Sequence, residues 1–600
     1  MHRYAALLLC HQRSPWLLLC LLLIVVPASF SQAQASDSAP IKKQLPADVR
    51  AYKAAQAVVD PEKRLAAMRS FVKEYPKSGR VSDAQSQILK TLLDNFPERT
   101  VEIEKQAKLT VKDSGKGYVA WVLAEAGTNG VDLKLAEKFA KEEVAHLSEA
   151  SYDKDTLAIY VKYKMTPPKP EALHNGYLNA RAEALAELAD VYLRESKSTQ
   201  AAALISEAFT LDPLVDDVNS ERGRLALLDH KDGLALESFE RAQLVGAIST
   251  ADRKKMMELY REAHGGSEEG FDAEMDALYA QLFPLPFPVG KPSTMDVHHT
   301  VLLELFTGSA CSPCVGADLS IDAVLDAYPR SEVVVLAFDE HVPNPDPLAN
   351  PDSVARRQVY DIVGTPSVAF DGVLQDDLYG ADRYGSGELH DKLAKLVEAY
   401  ATLPSGVELK LVADAASGGV SHLIHAHAIG QLPNTGEVAK IIAAKPKSDE
   451  PATAAPKADT KAPPADAMPA AAAPAEPQLV VNFALVEDEI RYSGENGIRF
   501  HRMVVRSLAK PADSGFRVSA GDNFSLDASF DPVAISGALR TYLDDYEQHN
   551  KSFGKITFIS KDTTIRPSHL AIAAWVQDSV SHRVLQAAFI PVSQQQKEAE

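Results

Sequence analysis

Two cysteines separated by two residues, in the stretch Cys311-Ser312-Pro313-Cys314, constrain the fold of this chain more than any other feature. They follow the apolar run Leu302–Phe306, which predicts a buried strand that turns into a helix beginning at the pair. Thr365-Pro366 comes about fifty residues later, directly before another short apolar run. Two thiols at this spacing and in this setting form a dithiol–disulfide switch. The sequence therefore predicts redox chemistry in a small α/β sheet covered by helices.

Residues 1–35 have the pattern of a secretory signal peptide. The basic residue Arg3 precedes the apolar run Trp16–Val26, and Ala33–Ala35 offers a small-x-small cleavage site. The apolar run is too short to span a bilayer comfortably, which favours a cleaved signal. The alternative is an uncleaved anchor that starts near Leu7. In both cases we expect export across the inner membrane, to the periplasm or to the outside.

The cysteine count favours a reactive centre over a structural crosslink. The chain has four cysteines, and Cys10 and Cys20 lie in the predicted signal. The remaining pair, Cys311 and Cys314, would close a loop of four residues, which constrains little of the unfolded chain. Exported proteins that use disulfides for stability have several of them at wide spacing. We therefore interpret this pair as a site of thiol chemistry.

Charge and ligand spacing exclude several functions. The chain has 82 acidic and 62 basic residues, with a formal net charge of −20, whereas nucleic-acid binding needs a basic surface. A zinc site would need two ligands besides the cysteine pair, and His298, His299 and His341 are poorly spaced to supply them. We expect no metal and no cofactor. His425 and His427 share one face of a predicted strand, which favours an exposed histidine face over a copper or zinc site.

Residues 36–282 form a predicted all-α region, rich in Ala, Leu, Glu and Lys with helical periodicity. Within it, residues 181–247 resemble a tetratricopeptide repeat. The resemblance rests on small residues such as Ala189, Ala201 and Ala208, with a weaker copy 34 residues further on. It implies a helical solenoid whose concave face binds a protein or peptide partner. A plain helical bundle is the alternative.

Residues 297–402 alternate strands and helices, and residues 404–600 show a strand pattern. A tract rich in Ala, Pro and Lys interrupts the latter at about 443–477 and is predicted to be a disordered insertion, because it cannot bury a core. Two strands before the tract are too few to stand alone, so we predict one β-sandwich on both sides of it. The fold class is therefore multidomain, with a helical-repeat region, an α/β domain and a C-terminal β-sandwich. The predicted C-terminal strands are Val407–Ala413, Ser421–Ile429, Leu479–Val486, His501–Leu508, Asn523–Phe530, Lys555–Ile559, Leu570–Gln577 and Val584–Ile590.

The cysteine pair after an apolar strand, with Gly364-Thr365-Pro366 before another strand, resembles the thioredoxin superfamily over residues 297–402. At the start of a helix Cys311 is expected to be the reactive thiolate, and Cys314 is expected to resolve a mixed disulfide. The resemblance implies that Thr365 and Pro366 are joined by a cis bond that faces the disulfide, and that they dock extended substrate. Pro313 suits the first helical turn, where its missing N–H would be unpaired in any case.

This chain departs from the family pattern around the cysteines. Ala310 stands where the family often has tryptophan, and Leu305 stands where it usually has a buried acid. Glu304, one residue earlier, is a candidate supporting acid only if a bulge turns it to the other face of the strand. His341 lies on the long loop 339–351 and is expected to approach the site.

A second resemblance is carried by Glu304–Gly308 and Glu495-Asn496-Gly497, and it is to secreted bacterial thioredoxin-like proteins with a C-terminal β domain. Together these observations predict an extracytoplasmic thiol–disulfide oxidoreductase. Its substrates would be protein thiols or disulfides, and it would need an electron donor or acceptor protein. The alternative is a non-catalytic binding scaffold with a vestigial or regulatory disulfide. Turnover of the thiols separates the two.

Overall fold

A computed structural model of the chain describes residues 46–126, 130–163, 167–246, 248–290, 297–375, 378, 380–415, 423–446, 477–549, 556–558 and 560–592. The predicted signal peptide and residues 447–476 of the Ala/Pro/Lys tract lie outside the described residues. The chain divides into two compact units, one of residues up to 151 with 187–201, the other of residues 152–186 with 202–600. Within the described ranges, no helix is both long and apolar enough to cross a membrane.

The predicted all-α region is confirmed, because the described residues from Ala47 to Leu282 form thirteen α-helices. Local sequence signals start several of them. Asp60 accepts a hydrogen bond from the Lys63 amide at 2.9 Å, and Pro61 occupies the first helical position. The helices are α1 Ala47–Gln56, α2 Pro61–Glu74, α3 Val81–Asn95, α4 Thr100–Ser114, α5 Lys116–Ala126, α6 Gly130–His146, α7 Glu149–Tyr163, α8 Pro170–Arg194, α9 Ser198–Leu211, α10 Asp216–Leu228, α11 Asp232–Val245, α12 Thr250–Ala263 and α13 Phe271–Leu282.

Helices α10 and α11 approach each other closely at a glycine. A Cβ atom on Gly223 would lie 2.5 Å from the ring of Phe239, so a larger residue would force the two helices apart. Ala226, Ala235 and Ala242 are buried in the same cluster as this ring. These five residues belong to the weaker predicted repeat, and they pack as a helix hairpin does.

The described residues from Val301 to Pro591 build a nine-stranded sheet. Its strands are β1 Val301–Thr307, β2 Val333–Asp339, β3 Ser367–Phe370, β4 Val373–Leu374, β7 Leu479–Glu487, β10 Val504–Leu508, β11 Phe516–Arg517, β13 Leu570–Asp578 and β14 Val584–Pro591. Their order is β14-β13-β7-β10-β2-β1-β3-β4, with β11 beside β7. β1 runs parallel to β2 and antiparallel to β3, so the sheet is mixed.

The C-terminal strands do not form a separate sandwich, which corrects the prediction for residues 404–600. β10 runs parallel to β2, and the Ala337 amide donates to the Met503 carbonyl at 2.9 Å. β2 is buried along its whole length, so without β10 one of its edges would hold unpaired amide groups. Strand periodicity shows which face of a strand is buried but not which sheet the strand joins. For this reason the pattern alone led to the wrong arrangement.

One hydrophobic cluster includes residues from both halves of the sheet. Leu303 and Phe306 of β1 lie in the same buried cluster as Trp575 of β13, which is 0 % exposed. Burial of this apolar surface is the main stabilising contribution available to the strand that leads to the cysteines. The predicted α/β domain at residues 297–402 therefore shares its core with the C-terminal strands.

A second, three-stranded sheet faces the C-terminal part of the large one. Ile424 and Phe483, one from each sheet, lie in one buried cluster. His425 and His427 lie on the outer face of the small sheet. The prediction that they share an exposed face of a strand is therefore confirmed. The His427 Nδ1 lies 2.7 Å from an Asp527 carboxylate oxygen on the next strand. The strands of this sheet are β5 Glu408–Ala415, β6 Ile424–Gln431 and β12 Asn523–Phe530.

Two helices occur where the sequence pattern predicts none, α17 at Thr435–Ala443 and α18 at Pro532–His549. In α18 the buried side chains are Leu539 and Leu543, and one such pair is too short a signal to distinguish a helix. The predicted strand Lys555–Ile559 is wrong for residues 556–558, which are irregular, and its two ends lie outside the described residues. The α-helices of the described residues after Val301 are α14 Val315–Ala327, α15 Pro351–Val359, α16 Ser386–Ala401, α17 Thr435–Ala443 and α18 Pro532–His549.

Candidate active site

The cysteine pair lies between β1 and α14, as predicted. After Thr307 the chain turns, and Cys311 precedes a single 3₁₀ turn, Ser312–Cys314, that continues into α14. The two sulfurs form a disulfide with an S–S distance of 2.02 Å. Cys314 is 0 % exposed and Cys311 only 2 % exposed. The disulfide therefore lies at the junction of β1 and α14, and both of its sulfurs are enclosed.

Thr365 and Pro366 lie against the disulfide, and they are joined by a cis peptide bond. The Thr365 Oγ1 is 3.4 Å from the Cys311 Sγ, so its hydroxyl can donate a hydrogen bond to the sulfur. Strand geometry explains the meeting: β3 is antiparallel to β1, with Ser367 paired to Phe306. The residues that precede β3 must therefore lie at the same end of the sheet as the residues that follow β1.

A glycine that the sequence analysis did not identify closes one side of this site. A Cβ atom on Gly380 would lie 2.6 Å from the Pro313 Cβ and 3.1 Å from the Pro366 Cδ. The neighbouring Ala381 amide donates to the Pro313 carbonyl at 2.9 Å, and the Gly316 amide donates to the Ala381 carbonyl at 2.7 Å. Gly380 and Ala381 are thus held against Pro313, next to Pro366, and a side chain at this glycine would not fit.

A hairpin from the C-terminal part rests on the turn before Cys311. This hairpin, residues 490–501, consists of β8 Ile490–Arg491, β9 Phe500–His501 and the loop between them. The Asn496 amide donates to the Ser309 carbonyl at 3.0 Å, and the Asn496 Nδ2 donates to the Gly308 carbonyl at 3.3 Å. A Cβ on Gly494 would lie 2.5 Å from the same Ser309 carbonyl. The C-terminal part therefore contributes directly to the surroundings of the disulfide.

The other end of the 490–501 hairpin is held by helix α13. The Arg499 Nε donates to Asp276 at 2.7 Å, and the Arg491 Nη2 donates to the other oxygen of Asp276 at 2.6 Å. Arg499 is buried, so this ion pair is shielded from solvent and depends on its partner. One carboxylate of the helical region therefore holds two arginines of the hairpin.

Glu304 does not lie in the position expected of a supporting acid. Its side chain alternates with that of Thr307 to the opposite face of β1. There it accepts hydrogen bonds from the Arg356 Nε at 2.7 Å and from the Tyr360 hydroxyl. Arg356 also donates to Gln577 at 3.1 Å. No bulge interrupts β1 between Val301 and Thr307, so Glu304 belongs to a buried ion pair that joins β1 to α15 and β13.

Three aspartates that the sequence analysis missed, Asp318, Asp339 and Asp346, surround the end of β1. Asp318 lies four residues after Cys314 on α14 and accepts a hydrogen bond from the Thr307 hydroxyl at 2.9 Å. Asp339, paired with Thr307 in the parallel register, is 1 % exposed and accepts no hydrogen bond from the described residues. Burial raises the pKa of Asp318 to about 7 and that of Asp339 well above its usual range. The helical spacing of Asp318 from Cys314 was the available signal.

Asp346 and His341 connect the long loop to the cysteine turn. Asp346 accepts hydrogen bonds from the amides of Ser309 at 2.5 Å and Leu348 at 2.8 Å, and burial raises its pKa to about 6. The His341 Nδ1 accepts from the Asp346 amide at 2.9 Å, so its Nε2 carries the proton that it donates to Tyr542 at 3.0 Å. Burial lowers the pKa of His341 to about 3. His341 is thus neutral and linked to Ser309 through Asp346.

Among the described residues, no group of three or more His, Cys, Asp or Glu side chains is arranged to hold a metal ion.

Comparison with known proteins identifies no family for this chain. No family model matches it, and no curated protein does. Among solved structures, a chain described as the assembly chaperone of RpL4 (Acl4), residues 1-338, matches with a TM-score of 0.25 and 13% identity. That match covers 40% of this chain and 91% of the other. A likeness at this score carries no argument about fold or function.

Proposed function

We propose that this chain is an exported thiol–disulfide oxidoreductase with a thioredoxin-like domain. The observation that carries the proposal is the meeting of Cys311 with Thr365 and the cis Thr365–Pro366 bond, at the same end of the sheet. A disulfide used only for stability has no need of a hydroxyl donor directed at one sulfur. The substrates are proposed to be protein disulfides or thiols.

In the reducing direction, the Cys311 thiolate attacks one sulfur of a substrate disulfide. That bond breaks, a mixed disulfide forms, and the other substrate sulfur leaves as a thiolate and takes a proton. The first turns of the helical segment after Cys311 stabilise its negative charge, and the Thr365 hydroxyl donates to it. The reverse sequence of steps oxidises substrate thiols.

Cys314 resolves the mixed disulfide. It loses its proton and attacks the Cys311 Sγ, so the substrate sulfur leaves and two electrons have passed to the substrate. Asp318 is assigned as the group that takes this proton, because it lies one turn along the same helix face with a pKa of about 7. An external dithiol protein then reduces the Cys311–Cys314 disulfide and supplies the electrons.

The remaining parts position substrate and partners. Thr365 and Pro366 present backbone groups to an extended substrate strand, and Gly380 supports them from one side. The helical region is proposed to hold a protein or peptide partner. Export is proposed from the pattern of residues 1–35.

One observation favours a second function, that of a binding scaffold with a disulfide that does not turn over. Cys311 is 2 % exposed, and the 490–501 hairpin lies on the turn that leads to it. An enzyme of the proposed kind must expose this sulfur to a partner disulfide. The scaffold needs no such exposure.

The full-length chain is the material for the test, since β2 pairs with β10 and a 297–402 fragment would lack that neighbour. Insulin reduction in the presence of dithiothreitol is measured for the wild type, Cys311→Ser and the matched neighbour Ser312→Ala. The proposal expects wild-type and Ser312→Ala rates to be equal and the Cys311→Ser rate to fall to that of dithiothreitol alone. Equal rates for all three proteins would contradict the oxidoreductase proposal and favour the binding scaffold.

A further inference from the structure

A polar cavity of about 230 Å³ lies beside the 490–501 hairpin. The hairpin, helices α11 to α13 and the segment before β13 line it, and four of the lining residues are arginines: Arg253, Arg491, Arg499 and Arg566. The carboxylates in the same lining are Asp272, Glu495 and Asp562. A cavity lined by so many charged groups is suited to a charged, polar ligand.

Three of the four arginines already have carboxylate partners. Asp276 holds Arg491 and Arg499, and the Arg566 Nη2 lies 2.7 Å from Asp562. Arg253 is different, because its guanidinium has neither an ion pair nor a hydrogen bond with the described residues. Its electrostatic neighbour in the cavity is Tyr492, a neutral phenol. A guanidinium presents a planar fork of donors that fits a carboxylate with two parallel hydrogen bonds.

One hydrogen-bond acceptor in the same cavity has no donor. Gln243 lines it, and the Gln243 Oε1 is buried without a hydrogen bond from the described residues. Glu495, whose one oxygen accepts from Asn344 at 2.5 Å, adds further acceptor capacity. A buried acceptor without a donor is costly, so a ligand that supplies an N–H would be favoured.

We propose that this cavity binds the carboxyl end of a peptide. The terminal carboxylate pairs with the Arg253 guanidinium, and the N–H of the last peptide bond donates to Gln243. Both groups occur next to each other at every peptide C-terminus. The proposal does not need the redox function, because none of its residues is a cysteine or a neighbour of one, and the two can fail separately.

The test is isothermal titration calorimetry of the full-length protein with the dipeptide Ala-Ala, its C-terminal amide, free alanine and inorganic phosphate. Ala-Ala is expected to bind, and its amide to bind at least about tenfold more weakly, because a hydrogen bond to a charged group is lost. Arg253→Gln should weaken Ala-Ala binding by at least about tenfold. Arg253→Lys keeps the charge but loses the planar fork of donors, so its affinity for Ala-Ala should lie between those of the wild type and Arg253→Gln. Arg241→Gln, a matched change outside the lining of the cavity, should bind as the wild type does.

Several outcomes would overturn the proposal. These are no Ala-Ala binding up to millimolar concentration, equal binding of the amide, equal or tighter binding of phosphate or alanine, and an equal loss in Arg241→Gln. Melting curves of the Arg253 variants accompany the titration. If Arg253→Gln is unfolded, the comparison between Ala-Ala and its amide on the wild type still decides whether the carboxylate is recognised.

Discussion

The Thr307 hydroxyl donates a hydrogen bond to Asp318 at 2.9 Å, and so joins the last residue of β1 to the helix that follows Cys314. Burial, with a smaller contribution from the nearby Asp346, raises the pKa of Asp318 to about 7, although the hydrogen bond from Thr307 opposes this rise. Asp339 and Asp346 are held close to the same carboxyl. The folded chain therefore holds a proton at Asp318 at a pH where the unfolded chain has released it.

Replacing this carboxyl should change how stability depends on pH. From about pH 4 to pH 7 the folded state binds the extra proton, so stability falls as pH rises, by on the order of 2–4 kcal/mol for this group. In Asp318→Asn that part of the slope should disappear. Urea unfolding at several pH values measures it, with the exposed Asp391→Asn as control. A slope unchanged from the wild type would contradict the assigned pKa.

Breaking the buried pair of Glu304 and Arg356 should destabilise the fold without removing the chemistry. In Glu304→Gln the Arg356 charge stays buried with its main partner lost, which costs about 3–5 kcal/mol. The exposed pair of Glu388 with Lys169 offers a matched control, and Glu388→Gln should leave the free energy of unfolding nearly unchanged because solvent screens an exposed ion pair. Denaturant unfolding measures both changes. The insulin reduction rate of folded Glu304→Gln should remain near that of the wild type. A complete loss of this activity would mean that Glu304 does support the cysteines.

A methyl group at Gly380 should disturb the site itself. Gly380→Ala places a Cβ against Pro313 and Pro366, and the resulting overpacking costs about 1–3 kcal/mol. Gly233 has no neighbour within 4 Å of an added Cβ, so Gly233→Ala should be neutral or slightly stabilising because it lies in a helix. We expect a lower insulin reduction rate for Gly380→Ala alone. Equal rates for the two variants would mean that the segment around Gly380 does not shape the reactive surface.

Release of the 490–501 hairpin should expose Cys311. Asp276→Asn removes the carboxylate that holds Arg491 and Arg499, so the hairpin loses its anchor on α13 and we expect it to leave Ser309 more often. After reduction, alkylation of Cys311 by iodoacetamide should become several-fold faster than in the wild type. Asp272→Asn is the control, because its contacts with the same arginines are longer, at 3.5 and 3.8 Å. Identical alkylation rates would show that another segment encloses the sulfur.

The local order of strand, turn and helix around the cysteines could be predicted, because apolar runs and a turn carry that information within a few residues. The neighbour of β2 could not, since the pairing of Ala337 with Val504 depends on which strand edges remain open after collapse. Asp339 was missed for a related reason. In a sequence, an acidic residue at the end of an apolar strand is interpreted as the first residue of a loop. Only the parallel register, which pairs Asp339 with Thr307, shows that Asp339 is buried.

The continuity of the large sheet gives this chain an intrinsic optical reporter. Trp575 is the one tryptophan of residues 202–600, and its indole donates to Gln577 at 3.3 Å. Arg356 donates to the same Gln577 oxygen and also to Glu304 on β1. In a Trp121→Phe background, the fluorescence of Trp575 is therefore expected to change when the strand that leads to Cys311 rearranges, without a label on either sulfur.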